Sequence, residues 1–285
     1  MNLSETFEKE LRLKAGFVFG FALLLLYYRF ISATILSAMA QPPFIFEENE
    51  IVYKYFLLSG IPQFLTSGSL VPALFDVCWY ALPILFLLTM DRIYAILFTI
   101  VTTVYFLTFN IAAAHHYHGL VGVILISIPF WSKKETRFHF LWEAVRYYWL
   151  YVLASAALWK ILRGSVFYTD QLSNILKSQQ INLLLQHPDT LRAHIAQYLI
   201  SNPQVAHITL LVNVAVQLCF LIGFYTKKFD GYLFILAIIF CIANYYVMGI
   251  VSTELLILNF TLMNWEKVVK IADNRFLKKM LSLYN

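Results

Sequence analysis

Cysteine is scarce in this 285-residue chain: it occurs only as Cys78, Cys219 and Cys241, none of them in a C-x-x-C pair. That spacing excludes a paired-thiol redox centre. Each cysteine lies inside a long apolar run, so all three are expected to be buried packing residues. Charge is scarce too, at 13% of residues against 60% hydrophobic, with a mean hydropathy of +0.69. No soluble domain of this size can hide that much apolar surface. Pro/Gly/Ser-rich linkers and internal repeats are missing, so residues 1–285 read as one polytopic domain. The lack of inverted repeats, and of Gly/Pro-broken spans at matching positions, disfavours a transporter. Strict apolar/polar alternation is absent as well, which excludes a transmembrane β-barrel and leaves an all-α integral membrane protein.

What the chain does have is long apolar segments, eight of them, at about residues 15–40, 70–90, 93–111, 115–131, 146–162, 207–225, 231–249 and 251–265. The fourth reaches spanning length only if it includes its histidines, and the eighth carries Glu254 and Asn259. A bundle of about eight transmembrane helices is expected, with seven spans, or six plus re-entrant segments, as alternatives.

Basic residues orient this bundle, because Lys and Arg gather on the cytoplasmic side. With the N-terminus inside, inner segments hold fifteen of the 21 Lys and Arg. Outer segments hold five, Lys54, Lys160, Arg163, Lys177 and Arg192, and Arg29 lies within the first span. Both termini are therefore expected in the cytoplasm, with 1–14 as an amphipathic start and 266–285 as a basic tail. The net charge of +5 follows from topology and calls for no nucleic acid. The acidic stretch Ser4-Glu-Thr-Phe-Glu-Lys-Glu10 precedes an apolar run too long for a signal core, so the first span is expected to remain as an anchor.

Two outer connections are long enough to carry structure. Residues 41–69 hold Pro42-Pro43, the acidic run Glu47-Glu-Asn-Glu50 and the aromatic stretch Ile51-Val-Tyr-Lys-Tyr-Phe56, and are expected to lie along the membrane surface. Residues 163–206 predict two amphipathic helices over the outer face. In the first, Thr169 or Asp170 caps a stripe of Leu172, Ile175 and Leu176. The second starts at His187-Pro188-Asp189, carries Leu191, Ile195, Tyr198 and Leu199, and is ended by Pro203.

Ionisable groups at membrane depth are costly to keep, so they point to a site. His115, His116 and His118 open the fourth segment on the outer side. Asp76 lies in the outer part of span two, Lys160 and Arg163 end span five, and Glu254 starts span eight. Arg29, Asn213, Gln217 and Asn244 lie deeper and are expected to face the bundle interior. On a helix His115 and His118 share a face, and three readings of the cluster stay open. It could ligate a metal, although no Glu-x-x-His or H-x-x-x-H partner is evident; it could act as proton acceptor or hydrogen-bond donor; or it could be wetted at a helix end. For Lys160 and Arg163 the competing reading is snorkelling to headgroups, and for Asp76 with Arg29 a structural ion pair. His187, His194 and His207 read as solvated or near headgroups, and His139 as belonging to no cluster. The assignment is His115, His116, His118 and Lys160 as catalytic candidates and Asp76, Arg163, Asn244 and Glu254 as ligand-binding ones, with no metal and no identified cofactor.

The order of features from Asn110 onward resembles the transmembrane domain of the vitamin K-dependent gamma-carboxylase family. It also resembles that family's bacterial relatives, the horizontally transferred transmembrane (HTTM) proteins, including the sporulation-delaying-protein maturation type. The resemblance is carried by Ala114-His-His-Tyr-His-Gly-Leu-Val-Gly-Val-Ile124, by Tyr148-Trp-Leu-Tyr-Val-Leu-Ala-Ser-Ala-Ala-Leu-Trp-Lys160, by Tyr168-Thr-Asp-Gln-Leu172 to Pro203, and by the spans around Gly223 and Asn244-Tyr-Tyr246. It implies a bacterial inner-membrane protein with a cavity open to the outer side, and Lys160 near that cavity. Family carboxylases place their base lysine just upstream of the histidine run, whereas Asn110-Ile-Ala-Ala-Ala114 has none, so vitamin K-dependent carboxylation is not expected. Three functions remain: an enzyme acting on a lipid-soluble quinone or an exported peptide; a non-catalytic maturation, export or immunity partner of a secreted peptide; and a structural subunit of a larger membrane complex. Small residues in Ala154-Ser-Ala-Ala157 beside Tyr147, Tyr148, Trp149 and Tyr151 suit the third. The charge bias makes one outcome checkable at once. A green fluorescent protein fused to the C-terminus is expected to fluoresce and alkaline phosphatase at the same point to be inactive; the reverse pattern would place that terminus outside.

Overall fold

A computed structural model describes residues 3–38, 51–112, 119–250 and 254–272. The histidines at 115, 116 and 118 lie outside them, as do residues 39–50 and the tail beyond 272. Every regular element among the described residues is helical. In chain order these are α1 (Leu3–Ile31), α2 (Ile51–Leu58), α3 (Ile61–Leu65), α4 (Leu70–Thr89), α5 (Arg92–Ala112), α6 (Gly119–Ser127), α7 (Glu135–Leu162), α8 (Gln171–Gln179), α9 (Ile181–Gln186), α10 (Leu191–Ser201), α11 (Pro203–Cys219), α12 (Ile222–Tyr225), α13 (Asp230–Met248) and α14 (Trp265–Ala272). Short 3-10 turns join some of them.

Five stretches are long and apolar enough to cross a membrane: Thr6–Ala38, Leu70–Thr89, Arg92–Ala112, Pro203–Tyr225 and Asp230–Met248. The other three apolar segments take different forms. The fourth is α6 followed by a 3-10 turn, Ile128–Trp131, and its helical stretch Leu120–Trp131 is shorter than a span. The fifth begins earlier than its apolar run, so the 28-residue α7 is long enough to cross but carries Glu143 and Arg146 in its first half. The eighth is a 3-10 helix, Leu255–Leu262, of 8 residues. At about 2 Å rise per residue it covers roughly half of the hydrocarbon thickness.

The contacts divide the chain into two compact units, Met1–Glu143 with Asn264–Asn285, and Ala144–Met263. No linker marks that division in the sequence. In the first unit α4 packs against α1 and α5. Aromatic rings fill its core: Phe19 lies 4.4 Å from Phe86, 5.2 Å from Phe130 and 5.7 Å from Phe98, centroid to centroid. Trp79 stacks on Tyr105 at 3.7 Å and donates its indole N–H to Thr102. Threonines in α5 satisfy themselves within the helix: the hydroxyls of Thr99, Thr102, Thr103 and Thr108 each donate to the carbonyl four residues back. Lys14, 2% exposed, is held by Glu10 at 2.6 Å and sits over the rings of Trp142 and Phe138.

The second unit differs from the sequence reading in its 163–206 segment, which forms three helices rather than two. Leu172 and Leu176 of α8 bury as predicted, and with Ala157, Leu199, Ala206, Leu210 and Val214 they make one core. On α10 the buried face is Ala193, Ala196 and Leu199, while Leu191 and Tyr198 are exposed. Its N-cap is Thr190, whose hydroxyl accepts from the Ala193 amide. Pro203 both ends α10 and supplies the first turn of α11, where its missing N–H is no loss. Of the cysteines only Cys241 is buried; Cys78 and Cys219 are exposed on apolar helices, correcting the expectation for those two. His207 is half-buried at the start of α11 and its Nδ1 is shielded without a partner, whereas His187 and His194 are exposed.

Gly223 marks the tightest approach in this unit, since a Cβ there would lie 2.7 Å from a Leu150 methyl and 3.0 Å from a Leu233 methyl. Both leucines are buried and have little room to yield. Gly223→Val is expected to destabilise the protein by about 1–3 kcal/mol through overpacking. Gly231→Ala, with open space around it, is expected to be neutral or slightly stabilising. Melting temperatures of the two variants in one detergent check the contrast.

Candidate functional site

Polar side chains on α7, α11 and α13 meet inside the second unit. Lys160, in the last turn of α7, donates to Gln217 Oε1 at 2.7 Å and reaches Asn213 Oδ1 at 3.4 Å. Asn213 Nδ2 in turn donates to Asn244 Oδ1 at 3.1 Å. Gln217 is 3% exposed; Lys160, Asn213 and Asn244 are half-buried. Helical spacing explains how α11 supplies two of the four groups, because positions four apart share a face. These bonds also fix a level. The end of α7 lies beside residues 213–217, about 15–20 Å along α11 from its start, and the first half of α11 packs instead against α8 and α10.

The α8–α10 segment is pinned to the end of α13. Gln180, buried between α8 and α9, donates to the Met248 carbonyl at 2.7 Å, and the Arg192 guanidinium lies 5.0 Å from the Tyr245 ring centroid. Gly249 ends α13 with φ 73°, a left-handed turn that glycine enters freely, and a Cβ there would meet Arg192.

The remaining sequence candidates are distributed as follows. Arg163 is exposed, one turn past Lys160, its guanidinium 4.4 Å from the Trp159 ring centroid. Glu254 is half-buried at the N-cap position of the 3-10 helix 255–262. Asp76 belongs to the first unit, where it is 5% exposed. Its carboxylate accepts from the Leu36 and Ser37 amides at 3.2 and 2.9 Å. It thereby holds the turn that closes span one, a structural task. Arg29, 2% exposed, reaches the Thr34 carbonyl at 3.4 Å and lies over Phe109 and Trp79. The structure thus joins Lys160 and Asn244 through Asn213 and Gln217. Among the described residues, no group of three or more His, Cys, Asp and Glu is placed to hold a metal ion.

Two buried polar arrangements escaped the sequence reading. Arg146, one of the fifteen basic residues expected on the inner side, is 1% exposed and forms a forked pair with Asp230: Nε to Oδ2 at 2.8 Å and Nη2 to Oδ1 at 2.6 Å. Nη2 also donates to the Gly223 carbonyl at 2.9 Å. Asn259, 2% exposed, accepts from the Trp149 indole at 3.3 Å and donates to the Phe234 carbonyl at 2.8 Å. The signal for the first was an arginine at the edge of an apolar run whose partner lies 84 residues away; the second rested on a lone asparagine among leucines.

No family model, no curated protein and no solved structure matches the chain. The site therefore has to be read from its own chemistry. Removing one partner of the Arg146–Asp230 pair strands a buried charge, so Arg146→Met is expected to lower stability by about 3–5 kcal/mol. Arg146→Met/Asp230→Leu is expected to recover most of that loss. Unfolding midpoints of single and double variants would show no such recovery if the pair were not coupled.

Proposed function

We propose that the chain is a multi-pass membrane protein of the HTTM-like, carboxylase-related type that works from its outer face on a lipid-soluble quinone or an exported peptide. Its site in the second unit centres on Lys160, Gln217, Asn213 and Asn244; His115, His116 and His118 are assigned acid–base roles of their own. In this reading the chain spans a bacterial inner membrane eight times with both ends in the cytoplasm, α7, the fourth segment and the 255–262 segment supplying the three further crossings, and the polar group opens to an outer-side cavity. The observation that carries it is the bonded chain from Lys160 to Asn244 among three long helices of the second unit. An ammonium and three carboxamides cannot face lipid without penalty, and their clustering marks a place where polar matter enters the bundle. Such groups supply hydrogen bonds and charge to a carbonyl.

A non-catalytic partner of a secreted peptide, or a subunit of a larger complex, is the competing reading. It is favoured by α2, where Ile51, Val52, Tyr55 and Leu58 are all more than 60% exposed and no residue is buried. Native purification in mild detergent, with mass spectrometry of bound lipids, quinones, metals and peptides, separates the two. Wild type is expected to retain a small molecule or peptide that Lys160→Met and the triple His115, His116, His118→Ala variant lose. A protein partner retained equally by all three would sink the catalytic reading and leave a subunit or maturation role.

A further inference from the structure

We propose that Lys160, Gln217 and Asn244 bind an anionic oxygen group, a carboxylate or phosphate, carried on an amphiphile. This rests on the reading of that cluster as the working site and names the chemistry the site takes.

The first argument is charge. Lys160 Nζ meets only carboxamide oxygens, and among the described residues no carboxylate lies within ion-pair reach of it. Within the same unit the Arg146 guanidinium is matched by Asp230, whereas Lys160 is held by neutral amides. A half-buried ammonium in an apolar bundle is stabilised by an anion brought from outside.

The second argument is hydrogen-bond capacity. A carboxamide carries as many donor hydrogens as acceptor lone pairs, and an ammonium carries donors alone. The cluster therefore has a donor excess whichever way its amides are turned. As placed, Gln217 Nε2 and Asn244 Nδ2 donate to no acceptor among the described residues, and neither nitrogen is sealed from the surface. Only a ligand rich in acceptors fills this set, and paired carboxylate or phosphate oxygens match several donors at once. A hydroxyl-bearing neutral ligand would bring another donor to a place already oversupplied.

The third argument is surroundings. The helices that carry these groups present Ala157, Leu210 and Val214 to the adjoining core, with Ile161 and Val247 packed against it. An acidic head on an apolar body fits that mixture, whereas a free, fully hydrated anion would have to shed its water for few additional contacts.

The test uses the full chain in mild detergent and reads the melting temperature by intrinsic fluorescence, with octanoate, octyl phosphate, 1-octanol and inorganic phosphate as probes below their aggregation limits. Octanoate or octyl phosphate is expected to raise the melting temperature of wild type by several degrees, in a concentration-dependent manner, while 1-octanol does not. That shift is expected to vanish in Lys160→Gln and persist in Lys177→Gln, an exposed lysine of α8. Asn244→Leu keeps the Lys160–Gln217 bond and serves if Lys160→Gln fails to fold; it is expected to raise the required anion concentration at least threefold. Equal stabilisation by 1-octanol, or a wild-type shift in Lys160→Gln, would overturn the proposal. Inorganic phosphate as potent as octyl phosphate would overturn its amphiphile half. Because the probes are simple amphiphilic anions, a positive result stands even if the purified protein retains neither quinone nor peptide. A negative result leaves that reading to its own experiment.

Discussion

Hydrocarbon offers no hydrogen bonds, and that constraint orders nearly every polar contact in this protein. A group that water would have satisfied must find a partner in the chain or be left at a penalty of several kcal/mol. The threonines of α5 solve this within their own helix. Asp76 solves it by taking the amides of a turn that no helix satisfies. Asn259 does so by joining an indole and a carbonyl around an irregular 3-10 segment, where the regular ladder of an α-helix is missing. The same rule explains why polar residues in apolar helices are informative even with no relatives to compare: each one is a debt whose settlement can be traced.

The broad class was legible because it depends on composition and run length. Helices at 70–89, 92–112 and 230–248 match their apolar segments within a residue or two, since a helix in lipid has to be apolar along its whole length. What the sequence blurred were segments in which hydrophobicity and secondary structure part company. α7 extends eleven residues ahead of its apolar run, because Arg146 can be buried once Asp230 comes to it and so does not end the helix. The 255–262 segment is apolar but winds as a 3-10 helix, a distinction that residue type does not encode. On α10 the expected stripe holds at Leu199 and Ile195 but not at Leu191 and Tyr198. Large residues at 191 and 198 suggested the buried side, yet alanines at 193 and 196 allow α10 to approach α8, α11 and α13 closely.

The candidate site was half legible for a related reason. Lys160 and Asn244 stood out as polar residues in or beside apolar runs, and Asn213 and Gln217 as companions expected to point inward. Their joining could not be read, because it depends on the level at which α7 stops along α11, and that is set by packing of the α8–α10 segment rather than by any local motif. Asp76 shows the opposite error: a carboxylate in a span looked like a ligand group, but its two oxygens are engaged by backbone amides. Rarity of an ionisable residue in a membrane helix signals that something needs it, without saying whether that is a ligand or the fold.

Comparing Arg146 with Lys160 in the second unit separates those cases. Arg146 is nearly inaccessible, forked onto a carboxylate and tied to a carbonyl, which is what a structural ion pair requires, since geometry that good offsets its desolvation. Lys160 is only half-buried and bonded to amides, an arrangement that orients the ammonium without neutralising it. A fold that needed Lys160 only for stability would gain more from a carboxylate at 217 or 213, or from an apolar side chain at 160. Amides keep the charge in place and available. That difference, more than the rarity of lysine in such a helix, directs attention to Lys160 as the group that meets something from outside the chain.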